Sequence, residues 1–285
     1  MALWQESTTS LAVNVYDANT GTWQALPPIP TGFGSADAQI TFFAPHQALA
    51  VWRESNLDPN LTKDQLEAMP LENILSSQYL AYATWDGNSW SGSQALTTPS
   101  LGEGGVVLAA CPSTDPVCPA GGAVTAVWER NTSADFNARQ TRLFYATYQN
   151  GVWSQPQPVD ATSNATDILP SVAYQGGKPV VAWVRDSDTD LTDVSSRHIR
   201  LRVLDGSPVS TPSGLPNSIA ELSLIAQPNG NLLLAFTQAE NSKQLLDNRR
   251  PLSLAEAICS GNSCTWSHKL LRDAFGRIIY AEHPQ

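Results

Sequence analysis

The sequence predicts an all-β protein, a five-bladed β-propeller of four-stranded antiparallel blades closed by the C-terminal strand completing the first blade. Three observations predict it. A strand–turn–strand unit recurs: RLFYATYQNGVWSQPQPV at Arg142–Val159 is echoed by YLAYATWDGNSWSGSQAL at Tyr79–Leu96, and more loosely at Leu11–Pro28 and Leu252–Leu271. A small or aliphatic run ending in an aromatic recurs beside it, at Trp4, Trp52, Trp128, Trp183 and Phe236. Finally, 18 Gly, 20 Pro and 9 Trp with only 15% charged residues suit many short strands joined by turns.

Each repeat divides into strands A to D. The B strands are the aromatic-ended runs. The C strands alternate apolar and polar residues: Leu11–Tyr16, Tyr79–Thr84, Leu143–Tyr148, Ile199–Leu204 and Leu254–Cys259. The D strands follow a Gly/Asn/Asp turn and carry Trp23, Trp90, Trp153 and Trp266; the fourth copy has PVSTPSGLP instead. The A strands precede B, at Ala38–Ala44, Val106–Cys111, Ser171–Gln175 and Leu222–Gln227. A fifth candidate, Gly276–Glu282, is expected to pair beside Ala2–Trp4 and remove the exposed edges of an open array. The repeats run roughly over 1–35, 36–100, 101–165, 166–218 and 219–272, with 273–285 as the closing strand of a single domain. The alternative is a cut piece of a longer ring.

The B–C connections are long and the A–B turns short, so one face carries the elaborated loops on which function concentrates. In the longest connection, Thr62 and Gln65 have capping-box spacing before Leu66 and Met69, which predicts a short helix lying over that face as a partial lid.

The net charge is −10 and the mean hydropathy modest, with no apolar run near the length of a membrane helix. A surface that tracks phosphates needs clustered Lys and Arg, so the composition argues against nucleic acid and anionic membranes as partners. The four cysteines form two local pairs, Cys111 with Cys118 and Cys259 with Cys264, the second flanking a Gly-Asn turn. Facing strands bring such side chains to bridging distance, and local disulfides imply an oxidising compartment. Sequons stand at Asn60, Asn131 and Asn164. No signal peptide is visible, so the chain is read as a mature or excised portion of a secreted or cell-surface protein.

One acid sits at the entrance of each A strand: Asp37, Glu103, Asp167, Glu221 and Asp273. Such a set would ring the mouth of a central channel and bind a ligand there. The bland alternative is that each accepts backbone N–H bonds in a turn. Arg53, Arg130 and Arg185 follow B-strand tryptophans and would neutralise the acids or clamp a substrate carboxylate. Their offsets from Trp differ, one residue for Arg53 and two for the others, which weakens the clamp. Asp186, Asp188 and Asp190 present hard oxygen ligands for Ca²⁺ in one B–C loop, though a solvated acidic loop is the default and no cofactor is required. Trp4, Trp52, Trp128 and Trp183 read as blade core. Trp85 and Tyr148 end C strands, where sheet-to-sheet packing is the default and sugar stacking the alternative. No nucleophile elbow, P-loop or dinucleotide fingerprint is present.

The turn Gly151–Ser154, its looser version at Gly87–Ser91, and the stretches Asp17–Gly21–Trp23 and Asp86–Trp90 resemble the repeats of sialidase-like, Asp-box-type propellers. The first repeat, VYDANTGTWQALPPIP, is also similar to a kelch segment. The resemblance implies the scaffold. For sialidases it implies an arginine triad, a Tyr/Glu pair and an acid. For five-bladed glycosidases it implies carboxylates at the channel mouth, where Asp37, Glu103 and Asp167 are the candidates. The leading expectation is a non-catalytic propeller that binds a glycan or protein ligand through its long-loop face, as one module of a larger surface protein or assembly. The alternatives are a glycoside hydrolase using the mouth carboxylates, and a structural spacer.

Overall fold

The computed structural model describes residues 2–7, 9–133, 140–188, 190, 193–227, 229–239, 250–260 and 263–281. The protein is all-β apart from two short helices, and its described strands form five antiparallel sheets, consistent with a propeller-like fold. It divides into two compact units. One comprises 1–138 and 144–157, the other 139–143 and 158–285.

In the first unit, β1 (Ala2–Ser7), β2 (Ser10–Asp17) and β3 (Thr22–Pro30) form the first sheet. The second holds β4 (Phe33–Ala44), β5 (Gln47–Ser55), β6 (Gln78–Trp85) and β7 (Gln94–Ala95). Helices α1 (Lys63–Glu67) and α2 (Leu71–Ser76) lie in the β5–β6 connection. The predicted capping box is present: Thr62 N donates to Gln65 Oε1 at 2.8 Å and Gln65 N to Thr62 Oγ1 at 3.3 Å. Neither helix buries a residue. The third sheet runs β8 (Glu103–Cys111), β9 (Ala123–Asn131), β10 (Thr141–Gln149) and β11 (Val152–Trp153), and the short β12 (Gln157–Pro158) follows.

These sheets stack face to face because alternation gives each strand two apolar edges. Leu11, Val13 and Ile29 meet Ala50, Trp52, Ala81 and Ala83 of the second sheet. The opposite face of the second sheet, with Leu49, Val51 and Leu80, meets Val124, Ala126 and Trp128 of the third. Trp52 and Trp128 are fully buried, as expected. Trp4 corrects the expectation, being 46% exposed. It pairs with Ala12, on the face of its sheet turned away from Leu11 and Val13, so the second sheet does not cover it. Trp85 and Tyr148 are sheet-packing residues. Tyr148 lies 5.8 Å from Phe43 and 5.4 Å from Trp153, and Trp85 lies 5.4 Å from Trp90, between ring centroids.

The Cys111–Cys118 disulfide closes the loop after β8. That loop docks tightly on the second sheet. Ser113 N donates to Phe43 O at 2.9 Å, and a Cβ at Gly122 would come within 2.1 Å of the same oxygen.

The second unit holds β13 (Thr166–Gln175), β14 (Lys178–Asp186) and β15 (Arg197–Val203), then β16 (Ile219–Ala226), β17 (Leu232–Gln238), β18 (Arg250–Ser260), β19 (Ser263–Leu270) and β20 (Tyr280–Ala281). Val180, Ala182, Val184 and Leu201 of the fourth sheet pack on Leu224, Leu234, Phe236 and Ala255 of the fifth. Trp183 is also fully buried. The fourth repeat, which lacks the D-strand Trp, contributes only an isolated bridge, Leu201 to Ser210.

The closing strand is the main correction. Tyr280 and Ala281 pair with Pro251 and Arg250, so β20 joins β18 rather than the first sheet. A tight turn makes this possible. Asp273 N takes up Arg277 O, and Ile279 then exchanges bonds with Leu271 and Leu252. Cys259 and Cys264 are direct partners across the β18–β19 hairpin, but their side chains lie outside the described residues, and so does the bridge expected between them.

Candidate functional site

The first strands of the second to fifth sheets, β4, β8, β13 and β16, share a device. Each carries a β-bulge near its start, between Ala36 and Gln39, Gly104 and Val107, Ile168 and Ser171, and Ile219 and Glu221. A residue at positive φ sits at or beside each bulge: Asp37 at 54°, Gly105 at 59°, Leu169 at 52° and Ser218 at 63°. Bulges bend a strand and re-aim its side chains. Here the side chains re-aimed are the predicted acids.

The neighbouring strand then answers each acid. Arg130 stands opposite Glu103 and Arg185 opposite Asp167. Arg53 stands opposite Ala36, one residue before Asp37. The bulge at Asp37 absorbs the one-residue difference in offset, so Arg53 still reaches its acid, Nη2 to Oδ2 at 3.3 Å. In the fifth sheet Thr237 takes the arginine's place and donates to Glu221 Oε2 at 3.1 Å, while Arg250 lies 3.8 Å from Oε1.

The pairs differ in access. Arg130 Nε donates to Glu103 Oε1 at 2.6 Å, Thr97 Oγ1 donates to Oε2, and the Glu103 side chain is 0% exposed. The Arg130 guanidinium also lies 4.2 Å from the Phe144 ring centroid. Asp167 is 3% exposed and receives Arg185 Nε at 2.7 Å, Arg185 Nη2 at 3.0 Å and Trp183 Nε1 at 2.8 Å. Asp37 is 43% exposed, and its carboxylate lies against Gly104, beside Glu103, where a Cβ would stand 3.6 Å from Oδ2. The first unit therefore brings two acid–arginine pairs side by side, one sealed and one partly exposed.

Asp273 belongs elsewhere. It precedes no inner strand, and it caps a turn, accepting the backbone N–H of Phe275 and Arg277 and the Arg277 Nε at 2.7 Å. Those bonds hold its carboxyl below the usual range. The remaining acids fall two in each unit, Asp37 and Glu103 in the first, Asp167 and Glu221 in the second.

Two groups escaped the sequence reading. Asp160 shares Arg185 with Asp167, at 2.7 Å from Nη2. Burial opposes its charge, but the Arg185 and Thr162 bonds outweigh burial and lower its pKa. Glu54 is the more telling. It is buried and receives Trp52 Nε1 at 3.0 Å and Ser93 Oγ at 3.1 Å. Among the described residues no cation pairs with it. Burial, and then the Glu54 carboxylate, push the Tyr79 hydroxyl up. Gly32 lies against the Glu54 carboxylate, where a side chain would crowd it. The signal was faint: an acid directly after Trp52-Arg53, with a tyrosine at the next strand's start.

In the proposed calcium loop, Asp186 already accepts Arg197 Nε at 3.1 Å and Ser196 Oγ at 2.9 Å. Burial and the adjoining Asp188 raise its pKa. Asp188 accepts the Asp190 backbone N–H at 3.0 Å. Among the described residues no three His, Cys, Asp or Glu side chains converge as a metal site would.

No protein-family model matches the chain, and no curated protein does. Solved structures do. A mutant of the α-L-arabinofuranosidase Arb93A from Fusarium graminearum, in complex with an iminosugar inhibitor, is similar at TM-score 0.50 and 13% identity, over 93% of this chain and 68% of that one. An ulvan lyase of polysaccharide lyase family PL25 is similar at TM-score 0.56 and 10% identity, over 92% of this chain and 61% of that one. The Hadza microbial sialidase Hz136 is similar at TM-score 0.48 and 12% identity, over 92% and 54%. At these identities the first two likenesses show a shared fold, one used by carbohydrate-active proteins.

Proposed function

We propose that the chain is an exported, non-catalytic five-bladed propeller that binds a glycan through the long-loop end of its first unit, at Asp37 and Arg53. One observation carries this reading: Asp37, Glu103 and Asp167, the candidate mouth carboxylates, are each paired with an arginine. A glycosidase needs two carboxyl groups free to reach the scissile bond. Glu103 and Asp167 are buried and pinned, which leaves Asp37 with Arg53 as the accessible pair, suited to hydrogen-bonding vicinal hydroxyls. The names of the structural neighbours, an arabinofuranosidase and a polysaccharide lyase, support a glycan as the ligand class. The disulfide supports an oxidising compartment. The reading needs no cofactor.

The test is a glycan array probed with the full chain. Retention of at least one glycan class is expected. Asp37→Ala and Arg53→Ala should weaken it by about tenfold or more, because each removes a charge-assisted bond, with the circular dichroism spectrum unchanged. An array that stays blank with folded protein defeats the proposal.

Glu54 favours a second reading, a glycoside hydrolase, because it is a buried carboxylate with no cationic partner among the described residues and its charge, second to burial, raises the Tyr79 hydroxyl. Aryl-glycoside turnover lost in Glu54→Gln by about 100-fold or more would establish it. Equal background rates in both proteins would dismiss it.

A further inference from the structure

The second unit carries a cavity of about 400 Å³ on the fifth sheet. Its lining is Gln227, Leu233, Leu254, Glu256, Ser267, His268 and Lys269, of which His268 pairs with Ala255 and stacks its ring on Phe236, on the other face of the sheet. The register explains the grouping. Leu233 faces Glu256, Glu256 faces Ser267, and Leu254 faces Lys269, so these side chains share one face of the sheet. It is the face opposite Leu234 and Ala255, which pack in the buried cluster. The volume is in the range of small-molecule sites.

The chemistry of the lining is asymmetric. Glu256 and Lys269 stand on a diagonal of the β18–β19 pair, where Cβ atoms lie about 7–8 Å apart. They form no ion pair with each other, and among the described residues Lys269 has no ionic partner. Glu256 is not adrift, because Asn231 Nδ2 holds Oε1 at 3.2 Å and leaves Oε2 open. Gln227 is fixed at the same corner by its backbone bond to Asn231 O at 2.8 Å. Its Oε1 is buried without a hydrogen bond, which costs free energy until a donor arrives. One end of the cavity thus offers two acceptors, the other offers an ammonium, and Leu233 and Leu254 supply an apolar wall between them.

We propose that this cavity binds a small zwitterion with an aliphatic body, of the class of a free α-amino acid with an apolar side chain. The ligand's ammonium meets Glu256 and Gln227, its carboxylate meets Lys269, and its side chain lies on Leu233 and Leu254. A hydrogen bond of about 2.8 Å at each end lets an α-amino acid span the diagonal. Acidic sugars match only the Lys269 end and are repelled at Glu256. Neutral sugars leave the Lys269 ammonium without a counter-charge. The site is independent of the glycan reading above and stands or falls without it.

L-Leucine titrated into the full chain by calorimetry is the direct probe. Saturable binding at one site is expected, weakened at least about tenfold by Glu256→Gln and by Lys269→Met, each of which removes one charge partner. N-acetyl-leucine and leucinamide, each missing one charge, should bind worse than leucine by a similar factor. Ser267→Trp places a bulky ring at an exposed position and should abolish binding, with thermal melts confirming that every variant is folded. Absence of saturable heat, glucuronate binding more tightly than leucine, or N-acetyl-leucine binding as well as leucine would overturn the assignment.

Discussion

Asp167→Ala lowers the unfolding free energy by about 3–5 kcal/mol in urea denaturation, because it strands a buried arginine. Arg185 is held by Asp167 and Asp160 together, and Trp183 Nε1 depends on the same carboxylate. Removing Asp167 leaves the guanidinium with one partner and the buried indole N–H with none. Asp167→Asn is milder, since an amide oxygen can still accept from Trp183. The network also carries a pH signature through Asp160. Its folded pKa is depressed, so its contribution is present above the unfolded pKa, about 3.9, and is lost as pH falls through the folded value. Stability measured from pH 6 downward should therefore decline below about pH 4, and by less in Asp160→Asn. A loss for Asp167→Ala under about 1 kcal/mol would mean that the pair is solvent-relaxed and that Asp167 is free for another role.

Arg130→Ala has an effect of the same order and a sharper control. It leaves the Glu103 carboxylate buried, with Thr97 as its remaining side-chain donor. The expected loss is about 3–5 kcal/mol, and the double replacement Glu103→Leu with Arg130→Met should recover most of it, since an apolar pair needs no counter-charge. The cation–π contact with Phe144 is lost in both variants and so cancels from the difference between them. Should the double variant be as unstable as the single one, the pair would be stabilising the sheet outright.

Strands and their partners were legible because alternation is local. Leu11, Val13, Leu49, Val51 and Val180 declare their faces within a few residues, and Thr62 with Gln65 announces its helix in four. The acids were legible as a recurring position, and their arginines as a recurring neighbour. What could not be read was the geometry joining them. Whether Arg53 reaches Asp37 depends on a left-handed residue in the opposite strand, and nothing in the Trp52-Arg53 text records it. Glu54 was hidden for the same reason: the carboxylate lies against Gly32, twenty-two positions earlier in the chain, and nothing in the local text records that neighbour. Closure by the tail failed because β-propensity in GRIIYAE does not specify a partner. Pairing with the hairpin nearest in sequence costs less chain entropy.

The bulges have a bearing on how such repeats can be rebuilt. In the second sheet the acid is itself the left-handed residue, Asp37. In the third and fourth the acid lies two positions earlier, at Glu103 and Asp167, with Gly105 and Leu169 taking the left-handed conformation. A consensus module averaged column by column over the linear text would set Asp37 against Gly105 and Leu169, and would erase the anionic group from the idealised unit. An engineered array of these modules should inherit its template from spatial superposition, choosing one phase of acid and kink and keeping the guanidinium that goes with it.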